Sequence, residues 1–186
     1  MKKGLIIVLL AIMALVFSQS AFALTKTFNI TVTVSTLNMD LRNHDDTDGY
    51  PGWDIIVGLA QAITMLENDI VKVVANSAGN YITACITTRI NNPAGWTSVG
   101  NTSPEGDQFA LLAQGFWSKP NSPDPNHPIV MSNPKIITPG TMEPLHWMDG
   151  FGQAEAWLSY AFYAPLTDST NQPQNIEVGV DVTFMP

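Results

Sequence analysis

The sequence predicts an all-β fold, a single β-sandwich of immunoglobulin-like or jelly-roll topology. Three observations predict it. Apolar and polar residues alternate strictly near both ends of the chain. Several short β-branched runs lie between those ends, separated by clusters of Gly, Asn and Pro. Charge is scarce, at 13% of residues, while Thr and Asn are frequent.

The chain opens on an export signal. Lys2 and Lys3 form a positive start, residues 4–17 are continuously apolar, and Ala21-Phe22-Ala23 has the small-x-small pattern that signal peptidase accepts. Residues 1–23 therefore read as a cleavable signal peptide. The apolar run is short for a membrane span, which needs about 20 residues. No stable span is expected after cleavage. Removing 23 residues from 186 leaves 163, enough for one domain, residues 24–186, with its own core.

In residues 27–34, Phe28, Ile30, Val32 and Val34 alternate with Thr27, Asn29, Thr31 and Thr33. Period two places each set on one face of a strand. Residues 175–184 repeat the pattern with Ile176, Val178, Val180, Val182 and Phe184. Strands are also expected over 71–75, 81–90, 108–116 and 154–163. The first two flank Asn76-Ser77-Ala78-Gly79-Asn80, read as a hairpin turn because Gly79 and Asn80 tolerate positive φ.

One stretch carries a different period. Ile56, Leu59, Ile63, Leu66, Ile70 and Val73 recur every three or four residues, so a short helix within 56–74 is a second reading there. Residues 118–144 hold seven of the thirteen prolines. That density predicts a long surface excursion, with one short edge strand near Ile136 and Ile137.

Composition limits function. Without Lys2 and Lys3 the chain carries 6 basic and 16 acidic residues, a net charge of −10. Such a surface repels phosphate backbones, which argues against nucleic acid as a partner. Cys85 is the single cysteine, so no intrachain disulfide forms; inside an apolar run it reads as a buried thiol.

No nucleophile elbow, P-loop or HExxH spacing occurs, and no catalytic residue is assigned. The acidic stretch Asp45-Asp46-Thr47-Asp48-Gly49 offers hard oxygens, so Asp46 and Asp48 are the candidate ligands for a weakly held Ca²⁺. It is not an EF-hand, because the twelfth position counted from Asp46 is Val57 rather than Glu. Of the five Trp, Trp117 and Trp147 border the Pro-rich excursion. They are the candidate pair for stacking sugar rings.

Trp53-Asp54-Ile55, then Val73-Val74-Ala75-Asn76-Ser77-Ala78-Gly79-Asn80, then Asn92-Pro93-Ala94-Gly95-Trp96 resembles secreted bacterial immunoglobulin-like β-sandwich modules. Those often carry a strand ending in V-x-N, a small turn with G-N, and a further strand. Ala78 stands as one extra residue in that turn. The resemblance implies adhesion, appendage or scaffolding roles, no catalytic residues, and strands rather than a helix before residue 75.

The expected function is thus an exported, non-enzymatic structural or adhesive surface protein. A terminal strand can add to a neighbour's sheet edge, so a fibre or matrix subunit that binds copies of itself through residues 27–34 fits best. A carbohydrate-binding module, with surface polysaccharide as partner, is the alternative, and a secreted hydrolase the third. The expected location is the cell surface, the periplasm or the extracellular space.

Overall fold

The computed structural model describes residues 38–184 except 47, 48, 94, 123 and 125, all within one compact unit. The signal peptide, the strand expected at 27–34 and Asp48 lie outside the described residues. Eight strands follow in order: β1 (Asn38–Arg42), β2 (Ala62–Thr64), β3 (Val71–Asn92), β4 (Thr97–Ser98), β5 (Gln108–Phe116), β6 (Lys135–Ile136), β7 (Glu143–Tyr163) and β8 (Glu177–Phe184). They form one mixed sheet, antiparallel except where β4 runs parallel to β5.

The all-β expectation holds, but one folded sheet does the work of two. β3 and β7 have 22 and 21 residues and pair along most of their length. Near one end of this ladder Val71 faces Leu158; at the other, Thr88 faces Glu143. Yet the Thr88 hydroxyl lies 3.1 Å from the Tyr160 hydroxyl. A straight β7 would separate residues 143 and 160 by about 55 Å. The ladder is therefore folded over.

The fold line crosses residues 76–81 of β3 and 150–153 of β7, where the register shifts. Gly79 and Gly152 take φ of 81° and 76° there, a region that disfavours side chains. The Ser77 hydroxyl accepts from the Asn80 amide and donates to the Asn80 carbonyl. A Cβ on Gly150 would stand 2.0 Å from the Gln153 carbonyl oxygen.

Two expectations are corrected here. Residues 76–80 are not a hairpin turn between separate strands. They form a corner within one strand, because β7 pairs with β3 on both sides of it. Nor does a helix form within 56–74. Residues 62–64 pair with β7, only Glu67–Asp69 make a 3₁₀ turn, and Val71 begins β3. The apolar residues at three-four spacing do not share a face: Ile56 is fully exposed while Ile70 and Val73 are fully buried. The β-branched run at its end packs better on a pleated surface.

One layer contains β1, residues 71–76 of β3, residues 153–163 of β7, and β5. The second contains residues 81–92 of β3, residues 143–151 of β7, and β8. Between them Val73, Ala75, Ile86, Phe109, Leu111, Met148, Ala156 and Leu158 form the core. Trp96 stacks on Phe162 with centroids 6.1 Å apart, and its indole donates to Asp168 at 3.1 Å. β5 keeps the bounds read from the sequence. β7 extends the expected strand upstream, so the Pro-rich excursion ends inside β7 rather than before it. The excursion includes the expected edge strand, β6, on β5. It buries Ile129 and Ile137, and Ile129 joins Ile70 and Trp157 on the opposite face of the first layer.

The two layers come into tight contact where Gly115 of β5 meets His146 of β7, with no room for a Cβ on Gly115. Burial holds the His146 imidazole below its ordinary value of 6.5, and its Nε2 is buried without a partner. Protonation therefore favours the unfolded chain. The stability due to a neutral His146 is complete above pH 6.5 and declines as pH falls through that value. Urea unfolding should show a loss between pH 7 and pH 5 that the His146→Phe variant shows to a smaller extent.

Candidate functional site

The two layers do not close on each other at the side of β1 and β8. β1 turns away through a bridge between Arg42 and Gly49, and the Tyr50 amide donates to the Leu41 carbonyl at 2.9 Å. The chain then runs extended across the mouth of the sandwich. Trp53, Ile55 and Val57 pack inward on the core, while Asp54, Ile56 and Gly58 face out. It returns at Ala60, whose amide donates to the Pro165 carbonyl at 2.9 Å. Residues 51–58 pair with no strand among the described residues.

Beneath and beside this segment lies a cleft of about 1120 Å³. Leu41, Tyr50, Trp96, Tyr160, Val178 and Val180 line it. β8 pairs with β3 on one edge, and among the described residues no strand pairs with its other edge. Val178, Val180, Val182 and Phe184 face the core yet are only half-buried. An unpaired edge beside incompletely covered apolar side chains is a template for a further strand.

Three polar groups at the cleft, Tyr50, Tyr160 and Asp168, are engaged by their own chain. Tyr50 donates to the Asp69 carbonyl at 3.0 Å, and burial raises its hydroxyl above the ordinary range. Burial pushes Tyr160 up to about 12, against its hydrogen bond with Thr88. Thr170, then the Trp96 indole, holds Asp168 below the usual carboxylate range.

No protein-family model matches this chain, and no curated protein matches it either.

The residues singled out from the sequence are dispersed. Asp46 lies outside the cleft, and its carboxylate accepts from Lys72 at 2.8 Å and from Arg42 at 2.9 Å. Lys72 also pairs with Glu155 at 3.0 Å and sits over the Trp157 ring. Its side chain is only 6% exposed. Burial lowers its proton affinity, but the two carboxylates outweigh that, and the net shift is upward. Ca²⁺ at Asp46 would have to displace both cations. Among the described residues no three potential metal-ligand side chains cluster.

Lys72 and Arg42 hold the Asp46 carboxyl below its ordinary 3.8. The stability this provides is present above that value and is lost as pH falls through the lower folded value. Asp46 is part-exposed, so solvent screens the pair. Asp46→Asn should cost about 0.5–1 kcal/mol at pH 7. Urea melts of the two proteins should converge at acid pH, once pH has fallen below the lowered folded value.

Trp117 and Trp147 do not form one platform. Trp117 packs edge-on against His146, with ring centroids 4.5 Å apart. His146 and Trp147 are consecutive on β7, so their side chains leave opposite faces. Cys85 is free and buried, and burial raises its thiol above the ordinary value. The cleft residues Trp53, Ile55 and Val57 were missed because the apolar run Ile55-Ile56-Val57 shows no period-two alternation in sequence.

Proposed function

We propose that the protein is an exported, non-enzymatic structural or adhesive surface subunit that assembles with copies of itself. In this reading residues 27–34 of one copy add as a strand beside β8 of the next, over the cleft. The observation that carries it is the edge of β8 that no strand among the described residues pairs with, beside half-buried Val178, Val180, Val182 and Phe184. Residues 27–34 offer four apolar side chains at the same period-two spacing, Phe28, Ile30, Val32 and Val34. Eight residues of strand span about 26 Å, which matches the eight residues of β8.

Chemistry favours the same reading. Main-chain hydrogen bonds supply affinity along an edge, and the alternate side chains supply register. The signal peptide read at residues 1–23 delivers the chain outside the cytoplasm, to the cell surface, the periplasm or the extracellular space. Among the described residues no helix is long and apolar enough to cross a membrane.

Light scattering on purified residues 24–186 over a concentration series tests the proposal. Large assemblies that grow with concentration are expected. A monomer at every concentration overturns it.

A further inference from the structure

The outer face of the second layer carries a row of aromatic rings that the sequence does not group. Tyr81 of β3 faces Phe151 of β7, Thr83 faces Asp149, and Cys85 faces Trp147, with no register shift between these pairs. All six side chains therefore lie on one face, opposite the buried Ile82, Ala84 and Met148. Tyr81, Phe151 and Trp147 are 63%, 75% and 48% exposed. Trp147 and Phe151 stand four residues apart on one strand, about 13 Å.

We propose that this row, Trp147, Phe151 and Tyr81, binds a neutral, extended polysaccharide chain. A pyranose ring has a C–H face that stacks on an aromatic ring and a rim of hydroxyls that needs hydrogen-bond partners. The row offers both in alternation. Asp149 already accepts from the Tyr81 hydroxyl at 2.5 Å, and its carboxylate has lone pairs to spare for a sugar hydroxyl. Thr83 adds a second hydroxyl beside it. An apolar protein surface docked here would desolvate Asp149 without replacing water. The net charge of −10 in the mature chain and Asp149 itself disfavour anionic polymers. The rings sit on paired strands, so the row is held before the ligand arrives.

The test is co-sedimentation of residues 24–186 with insoluble cellulose and with insoluble chitin. Trp147→Ala, Phe151→Ala and Trp117→Ala variants are run alongside, each first shown by thermal melting to stay folded. Binding to at least one polymer is expected. Trp147→Ala and Phe151→Ala should each weaken it about tenfold or more, and Trp117→Ala should leave it unchanged. Absence of binding to both polymers overturns the proposal. So does equal loss in the Trp117→Ala variant, or binding indifferent to Phe151.

Discussion

Gly115→Val is expected to destabilise the protein by about 3 kcal/mol, the upper end of what overpacking usually costs. A Cβ on Gly115 would stand 2.3 Å from the His146 Cβ and 3.0 Å from its Cγ, far inside contact distance. The two groups belong to different layers. Gly115 is held by the pairing of β5 with β7 at Leu158, and His146 by the pairing of β7 with β3 at Ile86. Neither side chain can rotate away from a clash at Cβ, so the layers themselves must part, and the core between them loses contacts. His146→Gly removes the opposing Cβ and leaves the His146 Cα at 3.5 Å, an ordinary contact. In urea unfolding the double variant should recover a large part of the loss, less the roughly 0.5–1 kcal/mol that glycine costs in a strand. Strictly additive effects would show that these positions do not meet, and the folded-over sheet would be wrong.

Deleting residues 24–34 is expected to convert assemblies of the mature protein into folded monomers. The described core draws on residues 39 to 184, so the deletion removes the proposed donor strand and spares that core. A synthetic peptide of residues 24–34 should then bind the truncated protein and raise its melting temperature. A Kd of 1 μM with peptide at 100 μM adds about 2.7 kcal/mol. Exchanging Ile30 and Val32 for Asp in the peptide should abolish the shift, since both belong to the apolar set of the period-two alternation. Two outcomes separate the parts of the idea. Truncated protein that still assembles overturns the role of the first strand. Truncated monomer that ignores the peptide retains that strand in assembly but rejects the edge of β8 as its receiver.

Local pattern made much of this architecture legible. The alternation from Ile176 to Phe184 gave β8, and 108–116 matched β5 residue for residue. The face shared by Ala154, Ala156, Leu158, Tyr160 and Phe162 is the face of β7 that meets the main core, while Trp157, Ser159 and Ala161 are buried on the other. The misreadings have a common cause. Asn76 to Asn80 has the composition of a turn, and composition does not say whether the chain reverses or merely bends. That depends on β7 continuing alongside, some seventy residues later in the chain. Ile56 to Val73 matched helical spacing by coincidence of an outward-facing Ile56, the short β2, a 3₁₀ turn and the start of β3.

The candidate sites divide along the same line. The aromatic types were visible one by one, but their grouping was not. Trp117 and Trp147 both border the excursion, whereas Trp147 shares a surface with Tyr81 and Phe151 through the β3–β7 register. Asp46 read as a free acid in an acidic run, and it is tied to Lys72, 26 residues away.

The sequence alone determined the class of fold, because period-two alternation and β-branched composition act within a few residues of each other. Only the tertiary structure decided that β3 and β7 fold over into two layers, that Gly115 must admit His146, and that among the described residues no strand pairs with the second edge of β8. Those features arise from hydrogen-bond register and packing between residues far apart in the chain, and no local periodicity encodes which distant partner a strand will find.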